Sequence, residues 1–101
     1  MKPEEQQDIV RALVSDYFGK YALEALPYDT LVLASDHIID IGTSILCAKW
    51  NVGYPPGHFA QAVVDNDLRE AFGRADDVNQ HCIKFYLMLM YNVGAPTIGF
   101  Q

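Results

Sequence analysis

Cysteine, basic charge and long apolar runs are all scarce in this 101-residue sequence, and each scarcity excludes a class of protein. The two cysteines, Cys47 and Cys82, stand alone and far apart. That is too few for a disulfide-stapled fold, and it lacks the paired spacing of a zinc site, so both are expected as small buried apolar residues. Seven lysines and arginines face thirteen acidic residues, for a net charge of −6, and the bases are scattered along the chain. Direct binding to a nucleic-acid backbone is therefore disfavoured. The apolar stretch "FYLMLMY" has seven residues, against the roughly 20 needed to span a membrane. The amino-terminal "MKPEEQQDIV" has no apolar core of the signal-peptide kind. A cytoplasmic protein, with neither membrane nor nucleic acid as partner, is the expectation.

What is present is helical pattern. Half of the residues are hydrophobic and a fifth are charged, a globular composition that predicts one domain over residues 1–101. Pro3 at a first helical position, with Glu4 and Glu5 where the helix dipole favours negative charge, starts a helix. Its apolar stripe is Ile9, Leu13, Tyr17 and Tyr21, widened by Val10, Val14 and Phe18. Pro27 ends it, and Asp29 or Thr30 is expected to cap the next helix. There Leu31, Ala34, Ile38, Ile41, Ile45 and Ala48 alternate steps of three and four, the seam of a packed helix pair. Leu31, Ile38, Ile41 and Ile45 are expected at the centre of the core.

The second helix should stop at "NVG", where Gly53 suits the left-handed conformation. From Pro56, a third stripe runs through Phe59, Val63, Val64, Leu68, Ala71, Phe72 and Ala75, and Gly73 breaks or bends it. Asp76 or Asp77 then caps a fourth helix carrying Val78, Cys82, Phe85, Tyr86, Leu89 and Met90. A single unbroken helix over residues 56–92 is the rival reading. The tail "VGAPTIGFQ" is expected to be irregular. The fold class is all-α, a small bundle of about four helices. Because "CIKFYLMLMY" is apolar on nearly every face, self-association through the fourth helix is expected.

Catalytic signatures do not emerge. His58 and His81 have no accompanying nucleophile pattern, and "GYPPGHF" puts prolines where a phosphate-cradling loop needs amide donors. No cofactor is expected. Asp36 and Asp40, one helical turn apart in "SDHIID", are the weak candidates for a hard cation such as Mg²⁺, against a plain solvated face. That segment is similar to the second acidic motif of all-helical nucleotide pyrophosphohydrolases, but helix one supplies only Asp16 and Glu24 in place of their paired glutamates. A metal-dependent nucleotide pyrophosphohydrolase is the alternative function. The candidate ligand- or partner-binding residues are Trp50, Tyr54, His58, Phe59, Asn66 and Arg69. Trp50, Tyr54 and Phe59 flank a rigid double proline, with a plug for the bundle's end as the plainer role of Trp50 and Phe59. Asn66 and Asp67 are poor helix formers placed mid-helix, so a tertiary or ligand contact is expected to account for them and for Arg69.

The residues Pro55, Pro56, Gly57 and Phe59, then Asn66, Asp67 and Leu68, then Ala75, Asp76 and Asn79, resemble a pattern of small phage and prophage proteins. The resemblance covers about residues 53–96, under half of the chain. Where those proteins continue past an Ala-Pro pair into a Cys-Trp-Gly-Ser segment, this sequence reads "TIGFQ". It implies a phage accessory product at work in a bacterial cell. The function this suggests is a non-enzymatic counter-defence inhibitor, an anti-CRISPR or other anti-immune factor. Its partner would be a host defence protein or a small signalling molecule.

Overall fold

A computed structural model describes residues 2–26, 28–75 and 77–95, leaving aside the side chains of residues 28–33, 68, 72, 77, 78, 80 and 81. The expected roles of Leu31, Phe72, Val78 and Asp76, and the tail beyond Ala95, lie outside what is described. The described residues form five helices and no strand: α1 (Pro3–Ala25), α2 (Tyr28–Trp50), α3 (His58–Val64), α4 (Leu68–Arg74) and α5 (Asp77–Asn92). The all-α reading holds, and the division of residues 56–92 into three helices replaces both the two-helix and the unbroken reading.

Helix α1 begins at Pro3 and ends at Ala25; Leu26 is extended, at φ −127° and ψ 146°, as the residue before a proline should be. Its fully buried residues are Val10, Val14, Tyr17 and Ala22, while Ile9, Leu13 and Phe18 are half-buried and Tyr21 is exposed. The stripe is thus rotated toward the residues that had only widened it. Helix α2 starts at Tyr28, so Asp29 and Thr30 lie inside it rather than capping it. Ala34, at φ −134° and ψ 17°, breaks its regularity before the straight run into the core.

The buried face of α2 is centred on Ile38, Gly42, Ile45, Leu46 and Cys47, and Ile41 is only half-buried. This corrects the position of Ile41. The physical cause is that α2 packs on α1, α3 and α5 together, so its buried face is wider than a two-helix seam and turns toward Gly42. A Cβ on Gly42 would come within 2.9 Å of both Leu89 Cδ2 and Val14 Cγ1. Glycine is what lets α1, α2 and α5 approach there.

Helix α5 fills the centre as its pattern predicts, with Cys82, Phe85, Tyr86, Leu89 and Met90 all buried. Rings pass through the core from one end to the other: Tyr21 on Tyr17, Tyr17 on Phe85, Phe85 on Tyr86, and Tyr86 on Phe59 at a 5.8 Å centroid separation. Tyr86 donates to Asn79 Oδ1 at 2.8 Å, which satisfies a hydroxyl that would be costly to bury alone. Lys49 donates to the carbonyl of Met90 in the last turn of α5. Of the run 82–91, only Lys84 and Tyr91 are exposed, and Leu87 and Met88 are half-buried. A single chain therefore supplies most of the burial that this run needs. Among the described residues no helix is long and apolar enough to cross a membrane.

Candidate functional site at the double-proline corner

The end of α2 is built by its backbone. Asn51 takes a left-handed φ of 54°, its N–H bonds to the Ala48 carbonyl at 3.3 Å, and the Val52 N–H bonds to the Cys47 carbonyl at 3.0 Å. This pair of bonds closes a helix on a left-handed residue, with asparagine in the position glycine most often holds. Gly53 is also left-handed, φ 68°, but it acts one step later. A Cβ there would lie 3.0 Å from Cys47 Sγ and 3.3 Å from Gln7 Oε1. The close approach has a purpose: Gln6 Oε1 accepts from the Gly53 N–H at 3.0 Å, and Gln7 Oε1 accepts from the Tyr54 N–H at 3.4 Å. Two side chains near the start of α1 thus hold the corner from one side, and Pro55 and Pro56 fix their own φ on the other.

Gly57 is the residue before α3, and the helix begins at His58, two residues beyond the expected Pro56. Tyr54 is 52% exposed. It lines a shallow cavity of about 240 Å³ together with Asn51, Val52, Pro55, Pro56 and Gln61, floored by Cys47. The other sequence candidates fall elsewhere. Phe59 is buried, its ring edge-on to Tyr86, which is the plug role. Trp50 is half-buried at the last position of α2 and packs against the core. His58 is exposed and does not line the cavity.

Asn66 and Asp67 do not lie mid-helix. Asn66 is left-handed, at φ 59°, and its N–H bonds to the Val63 carbonyl at 3.1 Å, while the Asp67 N–H bonds to the Ala62 carbonyl at 2.9 Å. This is the device that ends α2, used again to end α3. Asp67 then starts α4, its carboxylate accepting from the Glu70 N–H at 3.1 Å. The poor helix formers are explained by a turn, and Asn66 needs no ligand. Asp65 accepts from Gln61 at 2.9 Å. Arg69 is exposed on the first turn of α4, and among the described residues no carboxylate pairs with it.

The acidic pair of α2 is divided. Asp40 forms an ion pair with Arg11 across the α1–α2 contact, and Asp36 is exposed. Among the described residues no group of three or more His, Cys, Asp or Glu could hold a metal ion. Cys47 is buried and its thiol is pushed up to about 11 by desolvation, and Cys82 is also buried; neither is in a disulfide among the described residues. The shift of Cys47 is opposite to the depressed pKa that a nucleophilic thiol needs.

No family model, no curated protein and no solved structure matches this chain. The residues that sequence reasoning missed are Gln6, Gln7, Asn51 and Gln61. Asn51 carried a signal, an asparagine directly after an apolar helix. Gln6 and Gln7 carried none, because their bonds join positions 47 residues apart in the chain.

Proposed function

We propose that this protein is a non-enzymatic binding protein whose corner at residues 53–57 docks on a protein partner. The observation that carries this reading is the fixed backbone of the corner, held by Gln6 and Gln7 on one side and by two prolines on the other, beneath a half-exposed Tyr54. A corner already ordered avoids much of the ordering cost that a flexible loop incurs on binding. Tyrosine suits the task, offering a large ring with few rotatable bonds and a hydroxyl for the wet rim. The cavity of about 240 Å³ falls below the roughly 300–1,000 Å³ of small-molecule sites, which favours a protein over a signalling nucleotide. The resemblance to phage accessory proteins makes the partner a host defence protein, and the effect of binding its inhibition. Arg69, exposed on α4 and paired with no carboxylate among the described residues, supplies a cation.

Affinity capture with the tagged protein from infected cells, followed by mass spectrometry of proteins and small molecules, tests the reading. Tyr54→Ala and Arg69→Ala are expected to lose the captured host protein while melting at the wild-type temperature. Retention of the same protein by both variants would refute the docking corner, and a small molecule retained in place of a protein would redirect it.

A further inference from the structure

A larger cavity than that at the corner lies between the second half of α1 and the end of α5, with a volume of about 690 Å³. Its lining is of mixed character. Leu13, Met88 and Val93 are apolar, Tyr17 and Tyr21 supply rings, and Asp16, Lys20 and Glu24 stand along the α1 side. We propose that this groove is a second binding site, one that takes an arginine-bearing basic segment of a partner protein.

The rings make the first part of the case. Tyr17 and Tyr21 lie with centroids 4.6 Å apart at 41°. Tyr17 is fixed: it is buried, it packs on Phe85, and its hydroxyl accepts from Asn92 Nδ2 at 3.1 Å. Tyr21 leans on that fixed ring at a tilt and remains 41% exposed, which leaves it open to contact from solvent. A planar guanidinium is weakly hydrated and stacks on such a ring.

Charge makes the second part. Asp16, Lys20 and Glu24 follow one another at single-turn intervals along α1. Lys20 Nζ lies 3.0 Å from Asp16 Oδ2, and that hydrogen bond, with the charge behind it, raises the Lys20 pKa. Lys20 is thus a cation that this wall already holds. Among the described residues no cation pairs with Glu24, which leaves one carboxylate beside the tyrosines for an incoming guanidinium. The whole chain carries −6, which steers basic partners toward it.

Size and openness decide between a free guanidine and a chain segment. The cavity exceeds what a single arginine side chain fills, and Asp16, Lys20, Tyr21 and Glu24 are all exposed along its rim. A lone guanidine would stay hydrated there, whereas a segment brings neighbouring contacts for the Leu13 and Met88 floor.

Titration of ¹⁵N-labelled protein at low salt, followed by NMR, tests this with three probes: a capped Gly-Arg-Gly-Arg-Gly peptide, its lysine counterpart and arginine amide. The arginine peptide is expected to shift amides within residues 13–24 and 88–94, and the lysine peptide to bind about threefold or more weaker, since ammonium stacks less well. Tyr21→Ala and Glu24→Gln should each weaken the arginine peptide by about threefold or more. Asp36→Asn, which removes an equal charge outside the groove, should change it by less than about twofold. Equal loss in Asp36→Asn, unchanged binding in Tyr21→Ala and Glu24→Gln, or shifts spread over the acidic surface would overturn the proposal. Arginine amide binding as tightly as the peptide would also overturn it, in favour of a free guanidine.

Discussion

The three long helices and the segment from Asn51 to Ala75 hold their shapes by different means. In α1, α2 and α5, burial decides: Val14, Ile38, Ile45, Phe85 and Leu89 are fully enclosed. In the intervening segment two helices of seven residues each are too short to be stable alone. The segment is instead fixed bond by bond: Asn51 closes α2, Gln6 holds Gly53, and Asn66 and Asp67 join α3 to α4. Packing tolerates a polar group only where it is paired, as Tyr86 is with Asn79, whereas capping requires one. The comparison separates two kinds of sensitivity to mutation.

The largest expected effect lies in the core. Ile45→Asp would bury an unpaired charge at a fully enclosed site and cost several kcal/mol. Ile41→Asp, at a half-buried site, should cost distinctly less, and equal urea midpoints for the two would show that the buried face of α2 is misassigned. Gly42→Val comes next, because its branches must displace Val14 and Leu89. A loss of about 1–3 kcal/mol is expected from such overpacking, read as a lower midpoint in chemical denaturation.

A further loss enters through pH. The folded-state pKa of Cys47 is raised from 9.0 to about 11, so the neutral thiol contributes stability that is complete below pH 9 and is lost as pH rises through about 11. The difference in unfolding free energy between pH 8 and pH 11 should therefore shrink in Cys47→Ala, and an unchanged difference would contradict the burial of that thiol. The smallest effect belongs to the capped segment: Asp67→Ala should cost about 1 kcal/mol, and Asp67→Asn, which keeps the acceptor, much less. An equal loss in both would mean that the Glu70 N–H bond does not hold α4.

This division also explains what could be read in the sequence. Periodicity reports burial, so every buried residue named for α5 was legible, while Pro3 and "NVG" marked the start of α1 and the end of α2. The rotation of the α2 face toward Gly42 was not, because a glycine carries no apolar signal even where three helices meet on it. The break between α3 and α4 was misread for a related reason. Val63, Val64, Leu68 and Ala71 keep a helical spacing across the turn, and the turn residues Asn66 and Asp67 read as flaws in a helix rather than its end. At the candidate site the prolines and Tyr54 were visible. The glutamines that hold them were not, since a bond between distant positions leaves no local pattern.

Order at the corner in the absence of any partner is read by amide hydrogen exchange at Gly53 in the free protein. The bond to Gln6 predicts exchange at least about tenfold slower than in an unstructured peptide, with that protection lost in Gln6→Ala and the rest of the bundle's protection kept. Exchange of Gly53 at the unstructured rate in the wild-type protein would contradict the account.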